Sequence, residues 1–164
     1  MMTSDYGEIG AGSKGRSVKF ERHFDATADE VWAALTDPEQ VRVWLLCEAT
    51  LERRVGGAVS FDWGEDGKST GIVSIYDPPH VLEYSWMEQD GTSIVRFDVR
   101  PGDGEGVVLV LDHRELPASI HAGVGAGWHA HLEALGALLA AESFEFQPRY
   151  RELEPEYENL VAGL

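Results

Sequence analysis

The chain has 164 residues, and its hydrophobic fraction of 43 % is ordinary for a single soluble domain. A domain of this length buries roughly 70 % of the surface that its unfolded chain exposes. Lysine and arginine number 13 against 29 aspartate and glutamate residues, which gives a net charge of −16. Such a surface repels phosphate backbones and anionic lipids, so we expect neither nucleic-acid binding nor membrane binding.

Features that would mark an exported or membrane-anchored protein are missing from the pattern. No apolar run reaches the ~18 residues of a membrane span, and no basic stretch followed by an apolar core opens the chain. The single cysteine, Cys47, excludes an intramolecular disulfide. Together these features predict a cytoplasmic protein.

The first element is a strand that follows a polar, glycine-rich start. Residues 1–16 are predicted to be a flexible segment, with room for a short edge strand at 6–9. Residues 17–25 alternate apolar and polar side chains, which is typical of a strand with one buried face.

Two short helices come next. Thr27 and Glu30 have the spacing of a capping box, in which each side chain satisfies a free backbone N–H of the other residue. Asp37 is placed to cap the second helix, with Pro38 at its first position, where a missing N–H costs nothing.

The middle of the chain predicts a series of strands in an antiparallel meander. Gly56-Gly57 and Asp90-Gly91 are both typical of tight hairpin turns. The six strand-like runs after the helices are 47–55, 58–63, 71–76, 81–87, 93–100 and 107–115.

The last long element is a helix predicted over residues 119–142. Its apolar side chains fall on one face, which we expect to meet the sheet. That face consists of Val124, Trp128, Leu132, Leu135 and Leu139. The acidic, aromatic extension at 143–164 keeps helical spacing and predicts a short docked helix.

Several segments, taken in order, resemble a known superfamily. They are VWAALTDPEQVRVWL at 31–45, Gly56-Gly57 with Phe61, GIVSIYDPPHVLEYSW at 71–86, IVRFDV at 94–99, LVLDH at 109–113 and GWHAHLEALGALL at 127–139. The chain resembles the helix-grip (START-like, SRPBCC) proteins and, within them, the family related to the activator of heat-shock-protein-90 ATPase.

The resemblance implies an α+β helix-grip fold over residues 17–142. In that fold a curved antiparallel sheet of about seven strands wraps around a long C-terminal helix, and two short helices follow the first strand. Relatives usually have threonine where Val107 stands, and this more apolar strand argues against a polar, catalytic cavity floor. The scaffold hosts carriers, cyclases, hydrolases and chaperone regulators, so it implies fold better than function.

A cavity between the sheet and the long helix is the predicted site for a small hydrophobic or amphipathic ligand. Strand alternation and the implied fold direct one set of side chains toward it, although the same pattern is compatible with side chains that simply fill the core. The candidate ligand-binding residues are Trp44, Tyr84, Trp86, Phe97, Leu111, His113 and Trp128.

Among these, His113 is the strongest candidate for a chemical role, because it is the only ionisable side chain on the presumed inner face of the last strand. A neutral imidazole there can bond a ligand, or it can be a core histidine bonded to a backbone carbonyl or to water. His121, His129 and His131 lack the i, i+4 spacing of a helical zinc pair, so no metal site and no cofactor are predicted.

Other catalytic signals are weak. No nucleophile elbow is present, and Cys47 falls on a predicted strand without a cue for a partner base. Carboxylates such as Asp62 and Glu65 fall on polar faces or turns. Gly123, Gly125 and Gly127 fit no phosphate-binding spacing; they loosen the start of the long helix and border the pocket mouth.

The sequence therefore favours non-catalytic binding of a small apolar or amphipathic molecule by a monomer or homodimer. One alternative is a chaperone-associated regulator or stress-response interaction protein. Another is a cyclase- or hydratase-type enzyme that uses His113 and Tyr84, and it would need more convergent ionisable groups in the cavity.

Overall fold

A single antiparallel sheet of eight strands curves around a long helix in the computed structural model, which describes residues 5–88 and 91–164. In spatial order the strands run β1-β2-β8-β7-β6-β5-β4-β3. The strands are β1 Glu8–Gly12, β2 Gly15–Phe24, β3 Glu48–Leu51, β4 Ala58–Asp62, β5 Lys68–Asp77, β6 Val81–Glu88, β7 Gly91–Pro101 and β8 Val107–Leu116. The predicted meander is present from β3 to β8, and β2 pairs with β8 on the side away from β7.

Four helices accompany the sheet. They are α1 Ala28–Thr36, α2 Pro38–Leu45, α3 His121–Leu139 and α4 Phe146–Ala162. Short 3₁₀ turns lie at Gly64–Asp66 and Ala118–Ile120. Among the residues that the structure describes, no helix is both long and apolar enough to cross a membrane.

The capping chemistry of the two short helices is present as predicted. The Thr27 hydroxyl accepts from the Glu30 backbone N–H at 3.1 Å, and the Glu30 carboxylate accepts from the Thr27 N–H at 3.2 Å. The Asp37 carboxylate accepts from the Glu39 N–H at the start of α2. These bonds satisfy N–H groups that a helix start otherwise leaves without partners.

The sequence predicted about seven strands, with room for a further short edge strand at 6–9, and the structure has an eighth strand, β1, at Glu8–Gly12. Its sequence, EIGAG, has little apolar alternation, so the pattern alone indicated it only weakly. It forms because its backbone pairs with β2, with Glu8 opposite Lys19 and Gly12 opposite Gly15. The pairing partner, rather than the local side chains, makes this segment a strand.

The tight hairpin predicted at Gly56-Gly57 is wrong. β3 ends at Leu51, and a six-residue connection precedes β4. Hydrogen bonds to β5 hold this connection: the Gly56 N–H donates to the Val73 carbonyl, and the Gly57 carbonyl accepts from the Val73 N–H. At the other predicted hairpin, Asp90 lies outside the described residues. Cys47 precedes β3 instead of lying on it.

Helix α3 packs across the concave face of the sheet, and α4 packs against α3. The predicted inner faces of β6, β7 and β8 are buried beneath α3. Helix α4 also reaches the start of the chain, where the Tyr157 hydroxyl accepts from the Gly7 N–H at 2.8 Å. In this arrangement the start of α4 covers one end of the space between the sheet and α3.

Candidate functional site

A cleft of about 510 Å³, partly open to solvent, lies at that end of the sheet. Its walls come from the ends of β4 and β6, the start of α3 and the first turn of α4. Five aromatic side chains dominate the lining: Trp63, Trp86, Trp128, Phe146 and Tyr150. Leu45, Ile120 and Val124 supply aliphatic surface. The volume lies within the range of small-molecule pockets, which are also lined mainly by apolar and aromatic side chains.

The aromatic rings contact one another across the cleft wall. The Trp86 ring centroid lies 5.8 Å from those of Trp63 and Trp128, and the contact with Trp128 is edge to face. On the α4 side, Phe146 stacks on His131 with centroids 4.3 Å apart and on Tyr150 at 5.8 Å. These contacts hold the wall in place, because edge and stacked geometries are favourable for aromatic pairs.

Two glycines of α3 form part of the cleft floor. Gly123 and Gly127 are one helical turn apart and both line the cleft. A Cβ added at Gly127 would meet nothing within 4 Å. Gly125 between them has a different role, because its Cβ would lie 2.6 Å from the Tyr157 ring. Gly125 therefore permits α4 to dock, whereas Gly123 and Gly127 have no side chain that would fill the cleft.

The predicted site residues divide into two groups. Trp86, His113 and Trp128 line the cleft. The other four lie in the packed core outside its lining: Trp44, Tyr84, Phe97 and Leu111. Trp44 is 1 % exposed and donates its indole N–H to the Ala34 carbonyl.

His113 is held by two side chains rather than by a backbone carbonyl or water. The Trp128 indole N–H donates to Nδ1 at 2.8 Å, and Nε2 lies 2.7 Å from the Ser93 hydroxyl. Nδ1 is thus an acceptor, and the proton of the neutral ring is on Nε2, which donates to Ser93. Burial lowers the pKa of His113 to about 3. Both nitrogens are in use, so the ring has no free lone pair with which to act as a base.

His131 also lines the cleft, and its polar atoms are arranged differently. Its Nδ1 lies 2.9 Å from the Trp44 carbonyl oxygen, so Nδ1 must carry the proton and donate. Burial lowers the pKa of His131 to about 4, and the hydrogen bond to the carbonyl offsets this only in part. In the neutral ring Nε2 is therefore a hydrogen-bond acceptor.

Two carboxylates, Asp66 and Glu88, complete the polar lining together with Ser119. Both carboxylates are exposed at the rim. Glu88 Oε1 accepts from the Trp86 indole N–H at 2.6 Å, which fixes this carboxylate beside the ring. Trp63 donates its indole N–H to the Leu45 carbonyl at 2.9 Å.

The remaining helix histidines serve the structure. His129 Nδ1 lies 2.8 Å from the Tyr157 hydroxyl and its Nε2 lies 3.1 Å from Glu133. His121 Nε2 lies 2.7 Å from the Ser17 carbonyl oxygen. In the part of the chain that the structure describes, no three histidine, cysteine, aspartate or glutamate side chains are grouped to hold a metal ion.

Two other groups considered for catalysis are buried. Burial raises the pKa of the Cys47 thiol to about 12, which suppresses the reactive thiolate. Burial also raises the pKa of Tyr84, whose ring packs against Phe61 and Phe97.

Sequence reasoning missed several lining residues. Trp63 follows β4 immediately, and a large aromatic there was the available signal. Phe146 and Tyr150 have i, i+4 spacing at the start of α4, but nothing local shows that this helix folds back over α3. His131 was noted only as a metal candidate. Gly123 and Gly127 were expected to border the pocket mouth.

Fold and cleft together define a helix-grip protein with an aromatic pocket, and comparison with known proteins agrees. The sequence profile of the family described as "activator of Hsp90 ATPase homolog 1-like protein" matches residues 25–140. The chain belongs to this family of SRPBCC proteins. Among the curated proteins, none matches the chain.

Several solved structures are similar over most of the chain. The crystal structure of CalU16 from Micromonospora echinospora has a TM-score of 0.77 and 27 % identity, covering 99 % of both chains. A conserved protein of unknown function, EF2215 from Enterococcus faecalis, has a TM-score of 0.81 and 20 % identity, covering 96 % of this chain and 91 % of its own. DynU16, from the dynemicin biosynthetic locus, has a TM-score of 0.66 and 25 % identity, covering 77 % of this chain and 48 % of its own.

Proposed function

We propose that the protein binds a small apolar or amphipathic molecule in the aromatic cleft and does not transform it. The observation that carries the proposal is Gly127. A glycine inside a helix costs roughly 0.5–1 kcal/mol relative to alanine. Its backbone does not require glycine, and no neighbour would obstruct a Cβ. What the missing side chain supplies is space in the cleft.

The energetics allow useful affinity. A ligand that covers ~300 Å² of apolar surface gains roughly 7 kcal/mol before the costs of association are subtracted. Binding of micromolar strength at best is therefore expected. Trp63, Trp86 and Trp128 line the cleft, so they should report the arrival of a ligand through their emission.

The state of His113 supports binding over the cyclase- or hydratase-type alternative. Its acceptor nitrogen is occupied by Trp128 and its proton is directed to Ser93. Tyr84, the other residue of that alternative, is not part of the cleft lining. The role of chaperone-associated regulator rests on the family description alone, and a cytoplasmic location stays a prediction of the sequence.

The test places a larger side chain in the cleft at position 127. We expect Gly127→Leu to abolish the binding of Nile red, a neutral environment-sensitive dye, because the new side chain occupies the cleft. Gly127→Ala should raise the free energy of unfolding by about 0.5–1 kcal/mol through helix propensity and should weaken binding less. Dye titration and chemical denaturation measure the two effects.

The control is Gly104→Leu, because this glycine lies in the connection between β7 and β8 and its Cβ would also meet open space. It should leave dye binding unchanged. Equal dye affinity in the wild-type protein and in a folded Gly127→Leu variant would contradict the proposed site.

A further inference from the structure

The hydrogen-bonding groups of the cleft are unequally divided between donors and acceptors. All three indole N–H groups in the lining are already used within the protein. Trp63 donates to the Leu45 carbonyl, Trp86 to the Glu88 carboxylate and Trp128 to His113. The tryptophans therefore offer a ligand ring surface where they line the cleft, but no N–H.

The histidines of the lining add no free donor. His113 has both nitrogens bonded within the protein. The Nδ1–H of His131 is directed to the Trp44 carbonyl, which leaves Nε2 as an acceptor. The Tyr150 hydroxyl can donate or accept, and burial together with the nearby Glu154 carboxylate raises its pKa to about 12. The Ser119 hydroxyl at the rim can donate or accept.

The charge of the cleft has one sign. Asp66 and Glu88 lie on its rim, and none of the described residues that line it is a lysine or an arginine. The whole chain adds a net charge of −16. A carboxylate, phosphate or sulfate group entering here would be repelled and would find neither a free indole N–H nor a cationic side chain in the described lining.

Aromatic faces beside a carboxylate suit a cation. A ring face carries negative potential and attracts an ammonium group within about 6 Å of its centroid. The bond between Trp86 and Glu88 places a ring and a carboxylate side by side, so that a cation could contact both.

On the basis of the proposed function, we infer that the cleft selects a ligand that carries a cationic, hydrogen-bond-donating nitrogen on an apolar or aromatic body. The apolar body lies against Trp86, Trp128 and Phe146, and the nitrogen lies at the rim near Glu88 and Asp66. Fatty acids and other anionic amphiphiles are excluded by the same features.

Three probes with one body and different head groups test this inference. We would titrate 4-phenylbutylamine, 4-phenylbutanol and 4-phenylbutyrate at pH 7 by calorimetry. The amine should bind most tightly and the acid most weakly, with at least about a tenfold difference between them, as expected for a charge near a partly exposed carboxylate. The difference should shrink at high salt.

Glu88→Gln keeps an acceptor for the Trp86 N–H and removes the charge, so it should reduce the preference for the amine several-fold. The control is Glu65→Gln, which removes one charge from the neighbouring turn without touching the cleft lining. It should leave the preference close to that of the wild-type protein.

The outcomes separate the two proposals. If no probe binds, the proposed function fails. If the probes bind with equal affinity, if the acid binds best, or if Glu65→Gln and Glu88→Gln act alike, ligand binding stands and the selectivity for a cation is overturned.

Discussion

The pair formed by Trp128 and His113 shows how a potentially reactive side chain becomes part of a wall. His113 lies on β8, and Trp128 lies opposite it on α3. The indole N–H occupies the only lone pair of the neutral imidazole, and the ring proton goes to Ser93. A buried polar group gains most when every bond is made, and here both nitrogens are satisfied.

Trp128→Phe should lower the free energy of unfolding by about 2 kcal/mol or more. The substitution leaves His113 Nδ1 buried without a donor, and an unsatisfied buried acceptor costs about 1–3 kcal/mol in addition to the lost apolar contact. Urea denaturation measures the change. Combining it with His113→Leu removes the unpaired atom, so the double variant should lose less than the sum of the single variants; strict additivity would show that the bond contributes nothing.

The sequence identified the residue types at this site better than their roles. Strand alternation predicted that Trp86 and His113 face inward, and both do. The bond between Trp128 and His113 could not be predicted, because it depends on the position of α3 above the sheet. For the same reason Tyr84 and Phe97, with the same alternation as Trp86, lie in the core and not in the cleft lining: which part of an apolar face stays open is decided by the helix that covers it.

At the level of elements, α4 contributes a wall of the cleft as well as an anchor. Its first two turns provide Phe146 and Tyr150 to the lining. Further along, Tyr157 is fully buried and accepts from the Gly7 N–H, so its own proton is directed to His129 Nδ1. Arg149 adds two bonds to Glu133 on α3. The cleft is therefore complete only when α4 is docked.

Tyr157→Phe should destabilise the protein by about 1–3 kcal/mol, because it removes the partner of two buried polar groups while keeping the ring. Hydrogen exchange of the Gly7 amide should become faster. Tyr150→Phe is the matched control, since that ring lines the cleft and should leave the Gly7 amide protected. Unchanged exchange at Gly7 in the Tyr157 variant would show that another contact holds the two segments together.

Local signals predicted the elements that depend on local chemistry. The capping box at Thr27 and the proline at the start of α2 are sufficient to set those helix starts. Strand β1 and the connection before β4 depend on bonds to other strands. The sequence left room only for a short edge strand at 6–9, and it predicted a tight hairpin where the connection lies. Helical spacing in the last 22 residues predicted a helix, but its role in the cleft depends on where it docks.

At the scale of the whole molecule, the interior contains imidazoles that the fold keeps neutral. Burial lowers the pKa of His113 to about 3, and that of His131 to about 4. Burial, with the nearby charge of Arg22, lowers the pKa of His129 to about 4. In the unfolded chain these groups titrate near 6.5.

The free energy of unfolding should therefore fall as the pH decreases from about 6.5 to about 4, because over this range the unfolded chain binds protons that the folded chain does not bind. Above about pH 6.5 these histidines have no effect, since they are neutral in both states. Denaturation curves between pH 7 and pH 4 measure how the free energy of unfolding changes with pH. The slope should correspond to the uptake of as many as about three protons on unfolding. His131→Gln should reduce it by up to one proton; a free energy of unfolding that is constant over this range would contradict the buried neutral state.

The two open edges of the sheet have a consequence for contacts between copies of the chain. An edge strand exposes unpaired backbone groups that can recruit another strand and begin aggregation. Here the edges are β1 and β3, which are only five and four residues long. Each begins with an exposed glutamate, Glu8 or Glu48. When two molecules approach edge to edge, few backbone groups are therefore available for pairing, and the glutamates repel each other. The sheet is thus poorly suited to extend from one molecule to the next into a fibril.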